Sequence, residues 1–340
     1  MTPALSVVVP VYNEAPHVGA TIDRLVEAIE RSGFDAELVL VDDGSTDEST
    51  DAAARALKER LPLAVVRQPN LGRFHAVRTG LERASGTAVL MLGARVRLRP
   101  DSLAFVRERQ SAGEMVWTGH VHIHTEGNPY GTFMNVITEI AWRDYFNRPR
   151  TTSFGLAEFD RYPKGSGCFV APRKLLVDVF DALPRRYADV RHANDDAPML
   201  RRIAASGPIH VSPSFAADYV PRASFRTFIK HSVHRGAVFL DGHGRRESRF
   251  FPMIVAFYPA SAALTLASIL RPRLLPVAAV GTSVGASLVA ASARRSGAEV
   301  RTVAALAPVW AGALGVGLWR GLGMLLAEAI RARRGGRRWT

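Results

Sequence analysis

Val7-Val8-Val9-Pro10-Val11-Tyr12-Asn13-Glu14 and Leu38-Val39-Leu40-Val41-Asp42-Asp43-Gly44-Ser45-Thr46-Asp47 are two apolar runs that each end in polar residues. Between them Ala20 to Glu30 is amphipathic, so the segment reads as strand, crossover helix and parallel strand. An open α/β sheet of this kind binds ligands beyond the carboxyl ends of its strands. Phosphates commonly meet glycine-rich loops there, yet the chain has neither G-x-G-x-x-G nor G-x-x-x-x-G-K. Carboxylates stand at both strand ends instead. They suit a partner that offers N–H or O–H donors, such as a base, a ribose or a cation-masked diphosphate.

Three blocks carry a resemblance: Val-Pro-Val-Tyr-Asn-Glu at 9–14, Val-Asp-Asp-Gly-Ser-Thr-Asp at 41–47, and Asn70-Leu71-Gly72-Arg73 followed by Arg78 and Gly80. Together they resemble the N-terminal signature of the family 2 glycosyltransferases. The resemblance covers residues 5–240, strongly to about residue 90, and implies the α/β GT-A fold for residues 1–240.

Charge divides the chain. From Arg222 onward eighteen Lys/Arg stand against four acids, a net +14, whereas the whole chain carries +13; the first 221 residues are therefore close to neutral. The basic residues flank long apolar runs rather than interleaving with aromatics, which favours membrane-flanking charge over nucleic-acid binding. Cys168 is the single cysteine, so no intrachain disulfide forms, which fits a reducing cytosol. Met1 leads almost directly into a strand with no secretory signal, and the catalytic half is expected in the cytosol.

Phe250 to Leu270 and Leu274 to Ala293 are uncharged and long enough to cross a hydrocarbon core of about 30 Å. Thr302 to Trp319 is a third candidate, continued by Leu322 to Ile330, and residues 293–301 read as a loop. Two spans are expected, with a third segment that crosses, dips in and returns near Arg320, or lies along the interface. Residues 241–249 form a basic juxtamembrane hinge and 331–340 a basic tail. Glycines at 281, 285, 312, 315 and 317 favour close helix packing in lipid. A catalytic domain followed by apolar helices resembles the succinoglycan-type polysaccharide-assembly glycosyltransferases. That likeness implies cell-envelope polysaccharide synthesis at a bacterial plasma membrane.

The resemblance implies roles for individual residues. Asp43 accepts a hydrogen bond from the nucleotide base and Asp42 supports its loop, while Pro10, Tyr12 and Glu14 line the nucleotide pocket. The stretch 42–47 also suits a turn that caps the next helix, with Ser45 or Thr46 as the cap. After the strand Ala88–Leu92 the family carries Asp-x-Asp, whose carboxylates hold Mn²⁺ or Mg²⁺ on the diphosphate. Here those positions read Gly93-Ala94-Arg95. Three solutions follow, in order of preference. Arg95, with Arg97 or Arg78, neutralises the diphosphate directly; the domain has lost catalysis; or a metal has moved to His120, His122 and His124. Those histidines alternate on one strand face, which is otherwise read as exposed. Mn²⁺ or Mg²⁺ thus stays open as a cofactor without its usual ligands.

Asn194-Asp195-Asp196 resembles the family's Glu-Asp motif, with Asp196 in the place of the general base and Asp195 beside it; Asn-Asp-Asp before Pro198 also suits a helix start. Lys164-Gly165-Ser166-Gly167-Cys168 looks like the small-residue strand that walls the acceptor site, with Gly167 giving close approach. Cys168 is read as core. Arg222, His234 and Arg235 fall where the family places a basic segment over the diphosphate. Alternatively, Phe225 to Leu240 is an interfacial helix whose cations face phospholipid.

The expected function is inverting transfer of a sugar from a nucleoside-diphosphate donor to a membrane-associated, polyprenyl-linked acceptor. The alternative is a catalytically degenerate membrane protein that binds nucleotide sugar or a partner glycosyltransferase. A lipid-carrier glycan transporter is a weaker rival.

Overall fold

The structure is a computed structural model that describes residues 3–183, 196–246 and 248–334. The packing divides it into two units: residues 3–123, 144–183 and 196–220, and residues 124–143 and 221–334.

The first unit opens as the sequence predicts. Strand β1 (Leu5–Val11) leads through α1 (Ala15–Ser32) to β2 (Ala36–Asp42), then α2 (Ser49–Leu57), β3 (Leu63–Arg67), α3 (Arg73–Arg83) and β4 (Ala88–Leu92). Strands β1 to β4 are parallel neighbours in the order β3-β2-β1-β4. β1, β2 and β4 are buried on both faces, which explains why they read as continuous apolar runs rather than alternating ones. Pro10 lies beyond the last β1–β4 pair, Val8 with Met91, so its missing N–H costs no bond to β4. Gly80 lets α3 settle on β1 and β2, because a Cβ there would overlap Val8 and stand 3.2 Å from Val41.

The sheet then changes direction. After β5 (Val96–Leu98), α4 (Ser102–Ser111) and β6 (Trp117–Ile123), the chain enters the second unit at α5 (Pro129–Ala141). It continues through α6 (Arg143–Phe146), β7 (Thr152–Phe154), β8 (Cys168–Pro172), α7 (Arg173–Asp181), α8 (Asp196–Ser206) and β9 (Ile209–Tyr219). β8 pairs antiparallel with β4, β6 with β8, and β9 runs parallel to β6, extending the order to β3-β2-β1-β4-β8-β6-β9-β5. One core, with Ile22, Leu25 and Trp117, lies under α1, α2 and α4. The other, with Val77, Phe180 and Leu200, lies under α3, α7 and α8. Mixed strand order with helices on both faces is the GT-A arrangement.

The second unit is helical: α5, α9 (Phe225–His243), α10 (Phe251–Leu270), α11 (Leu274–Ser292) and α12 (Gly297–Arg334). Among the described residues three helices, α10, α11 and α12, are long and apolar enough to cross a membrane. At 1.5 Å per residue the 20 residues of α10 span about 30 Å, one hydrocarbon core. Exposed Leu266, Ile269, Val277, Val280 and Leu288 on α10 and α11 suit lipid contact.

Two expectations are corrected here. Helix α12 starts at Gly297, inside the expected loop, because Ser296 and Glu299 form a capping box: Ser296 N donates to Glu299 Oε2 at 2.8 Å and Glu299 N to Ser296 Oγ at 3.3 Å. The helix also runs unbroken through Arg320, so the segment does not turn back there. Its N-terminal half packs on α5 and α9 around Phe133, Phe228, Val303 and Ala307. Gly315 and Gly317 receive neighbouring helices, whereas a Cβ at Gly281, Gly285 or Gly312 would meet nothing within 4 Å.

Candidate active site

The loops after β1 and β2 are stapled together. Asn13 takes the left-handed conformation (φ 54°), which Asn tolerates better than most residues. Its N–H donates to Ser45 Oγ at 3.1 Å, and its Oδ1 accepts from Thr46 N at 2.8 Å. Glu14 N donates to Ser49 Oγ at 2.7 Å and Ala15 N to Asp47 Oδ2 at 3.0 Å. Ser45 and Thr46 therefore do not cap α2, which begins later at Ser49; they hold Asn13 instead.

Asp42 accepts from Ser45 N at 2.8 Å and Thr50 Oγ1 at 3.3 Å, so it shapes its own loop. Asp43 is almost fully buried and reaches across to the loop before α3. Its Oδ1 accepts from Gln68 Nε2 at 2.7 Å and Leu71 N at 2.9 Å, and its Oδ2 from Gly72 N at 2.9 Å. Tyr12 is 47% exposed at the same strand end, and Pro10 is half-buried.

The turn after β4 is pinned from three directions. Gly93 N donates to Gly167 O at 2.8 Å, Thr21 Oγ1 to Ala94 O at 2.8 Å, and Val220 N to Arg95 O at 3.0 Å. From this turn Arg95 Nε donates to Glu14 Oε2 at 2.7 Å, with both side chains largely buried. Glu14 and Arg95, expected separately at the nucleotide pocket and the diphosphate, are thus ion-paired with one another.

Asp196 opens α8. Its Oδ1 accepts from Ser166 N at 3.1 Å, from Ser166 Oγ, and from Arg73 Nη1 at 3.4 Å. These contacts link up. Asp43 holds Gly72, its neighbour Arg73 holds Asp196, Asp196 holds Ser166, and Gly167 beside it holds Gly93, two residues before the Arg95–Glu14 pair. Ser166 and Arg73 lie in the sequence motifs but had no role of their own there; their spacing from Asp196 in sequence gave no sign of contact. Asp195 lies outside the described residues.

Other expected residues are elsewhere. Arg78 pairs with Glu82 at 3.1 Å and Asp181 at 3.0 Å, because its side of α3 faces α7 rather than the strand ends. Arg97 stands opposite Asp218 in the β5–β9 ladder. Arg222, His234 and Arg235 belong to the helical unit, where Arg222 O accepts from Asn128 Nδ2 at 3.3 Å and Arg235 Nη1 meets Met134 Sδ at 3.6 Å.

The histidine face is not an exposed one at its start. His120 is buried and its Nδ1 lies 2.9 Å from the Tyr145 hydroxyl. Burial, reinforced by His122 and Arg99, pushes its pKa down to about 4, and burial raises that of Tyr145. Cys168 is buried in the core with its thiol pushed up to about 12 by desolvation, which suits packing rather than nucleophilic chemistry.

A profile of glycosyl transferase family 2 matches residues 6–175, half of the chain, from β1 through β8; Asp196 and Val220 lie beyond it. The chain belongs to glycosyl transferase family 2. Among curated family relatives, the undecaprenyl-phosphate 4-deoxy-4-formamido-L-arabinose transferase of Pectobacterium atrosepticum is 34% identical over 111 residues, 32% of this chain and 34% of that protein. The protein of that name from Pseudomonas syringae is 36% identical over 101 residues, 29% of this chain and 30% of that one. The match thus spans about a third of the length of these relatives. Among solved structures, the mannosyltransferase PcManGT from Pyrobaculum calidifontis, in complex with GDP-Man and Mn²⁺, superposes with a TM-score of 0.56 at 22% identity, covering 94% of this chain and 88% of that one. TarS 1–349 from S. aureus with UDP-GlcNAc gives 0.50 at 14% identity, covering 99% and 93%. These likenesses establish the fold.

The divalent ion associated with family 2 does not fit the residues at this strand end. Mn²⁺ and Mg²⁺ take oxygen ligands, chiefly carboxylates. Gly93 and Arg95 offer none, and the nearby carboxylate of Glu14 is held by Arg95. Among the described residues no three His, Cys, Asp or Glu side chains form a group able to hold a metal ion.

Proposed function

We propose that this family 2 member is an inverting glycosyltransferase. It moves a sugar from a nucleoside-diphosphate donor to a polyprenyl-phosphate-type acceptor, working at the cytosolic face of a membrane that α10 and α11 cross. The observation that carries the reading is the continuous set of contacts from Asp43 through Arg73, Asp196 and Ser166 to the Arg95 turn. It joins carboxylates and guanidinium groups of opposite roles around one end of the sheet, where open α/β sheets bind ligands.

In this reading Asp43, Pro10 and Tyr12 serve the base and ribose, and Asp42 keeps their loop in shape. Gly167 lines the acceptor side. An oxygen of the acceptor bonds to the anomeric carbon as the bond to the diphosphate breaks; the bonding pair leaves with the nucleoside diphosphate. Where the attacking oxygen carries a proton, Asp196 takes it, its carboxylate anchored by Ser166 and Arg73. The names of the undecaprenyl-phosphate relatives support the acceptor class, and the three long apolar helices support a membrane setting. Arg222, His234 and Arg235 are assigned to phosphate groups at the lipid surface, of the acceptor or of neighbouring headgroups.

The missing Asp-x-Asp favours a second reading, a domain that binds nucleotide sugar without turnover. One assay separates them: the detergent-purified chain with undecaprenyl phosphate and a panel of UDP-, GDP- and dTDP-sugars. Transfer from one donor is the expected result. With an undecaprenyl-linked sugar as acceptor, whose hydroxyl must lose a proton, Asp196→Asn should reduce kcat about 10²–10⁴-fold with donor affinity retained. With undecaprenyl phosphate, whose oxygen carries none, the loss should be smaller. Nucleotide binding without transfer from any donor would establish the second reading instead.

A further inference from the structure

We infer that the Glu14–Arg95 ion pair is this chain's built-in replacement for a divalent cation: Arg95 binds the donor diphosphate and Glu14 is the positioning residue that orients it. The inference rests on the donor class proposed above.

Charge accounting comes first. Two aspartates and one divalent ion sum to zero; so do one glutamate and one arginine. In both arrangements acidic side chains hold a cation whose outer side meets the phosphates. The exchange thus preserves net charge at the strand end while removing the need for an ion.

Geometry supplies the second argument. Glu14 engages Arg95 through Nε, at 2.7 Å. A guanidinium has five N–H donors in a planar fork, so this contact leaves the two Nη groups as a pair of parallel donors, the edge that grips phosphate bidentately. No other hydrogen bond from Arg95 joins it to a described residue. The Arg95 side chain is 14% exposed and Glu14 11%, enough for a ligand to reach the guanidinium yet dry enough to strengthen its attraction.

Rigidity supplies the third. Gly167, Thr21 and Val220 fix the backbone of residues 93–95, and Ser49 fixes Glu14. A flexible surface arginine would lose side-chain entropy on gripping a phosphate; this one is already held. Two other arginines are committed elsewhere, Arg73 to Asp196 and Arg78 to Glu82 and Asp181.

The test uses the full chain in detergent, with UDP, GDP and dTDP as probes in calorimetry, in EDTA and in Mn²⁺. One nucleotide is expected to bind equally under both conditions. Arg95→Ala should weaken it about 10–100-fold, Arg95→Lys should recover part of the loss, and Glu14→Gln should weaken it while leaving Arg95 present. Circular dichroism melts check that each variant folds. Arg95→Asp in a Gly93→Asp background should make binding respond to Mn²⁺, a change that a purely structural pair would not produce. Wild-type binding that needs Mn²⁺, or that ignores Arg95→Ala, overturns the inference and leaves the donor class standing. Failure of every nucleotide to bind under either condition removes both.

Discussion

Gly236 on α9 and Gly317 on α12 meet so closely that a Cβ on Gly236 would lie 2.7 Å from Gly317 Cα and 2.8 Å from Leu318 N. The two helices touch backbone to backbone, the contact that small residues permit in apolar bundles. Either glycine changed to alanine forces the helices apart or strains them, and overpacking of this kind costs about 1–3 kcal/mol. Gly236→Ala and Gly317→Ala should each lower the thermal midpoint of the detergent-solubilised chain. Gly281→Ala, with nothing within 4 Å, should leave it unchanged or slightly raised. Equal behaviour of all three variants would show that the α9–α12 contact does not matter to stability.

In the proposed reading Asp43 carries two duties. Its carboxylate takes three hydrogen bonds from the 68–72 loop, and the donor base is assigned to the lone pairs that remain. Asp43→Ala strands buried donors and should cost about 2–4 kcal/mol of unfolding free energy as well as nucleotide binding. Asp43→Asn keeps one acceptor oxygen, so it should retain much of the stability while still weakening the nucleotide. Urea titrations and calorimetry on both variants check this. A stable Asp43→Asn with wild-type affinity would sink the base assignment.

The Rossmann-like half was legible because its signals are local. Apolar runs ending in carboxylates fix β1 and β2, and the apolar lengths of α10 and α11 fix two candidate spans to within a residue or two. The start of α12 was also written locally, in Ser296-Gly297-Ala298-Glu299, but a basic stretch around it suggested a loop. What sequence did not give was pairing across long separations. Glu14 and Arg95 are 81 positions apart, and Arg73 and Asp196 are 123 apart. No periodicity or spacing reports such contacts. Helix α5 was missed for a related reason: Phe133 and Val136 form an ordinary apolar stripe, and only the folded chain shows that it packs with Phe228 and Val303.

His120 makes an acid-sensitive element of β6. Its imidazole is buried against the Tyr145 hydroxyl, with His122 beside it at a 4.3 Å ring separation and Arg99 adding like charge. Burial first, then these two neighbours, hold its pKa down to about 4, against about 6.5 for an exposed histidine. The unfolded chain therefore binds the extra proton first as pH falls. Above about 6.5 both states are neutral at this group and its contribution is fully present. Between about 6.5 and 4 protonation favours the unfolded chain, and stability declines by about 2 kcal/mol once solvent screening is allowed for. Thermal melts at pH 7 and pH 4.5 should show a larger acid loss in the native chain than in His120→Gln, which keeps a polar partner for Tyr145 but takes up no proton. An identical acid loss in the two proteins would mean that carboxylates, not His120, set the acid limit.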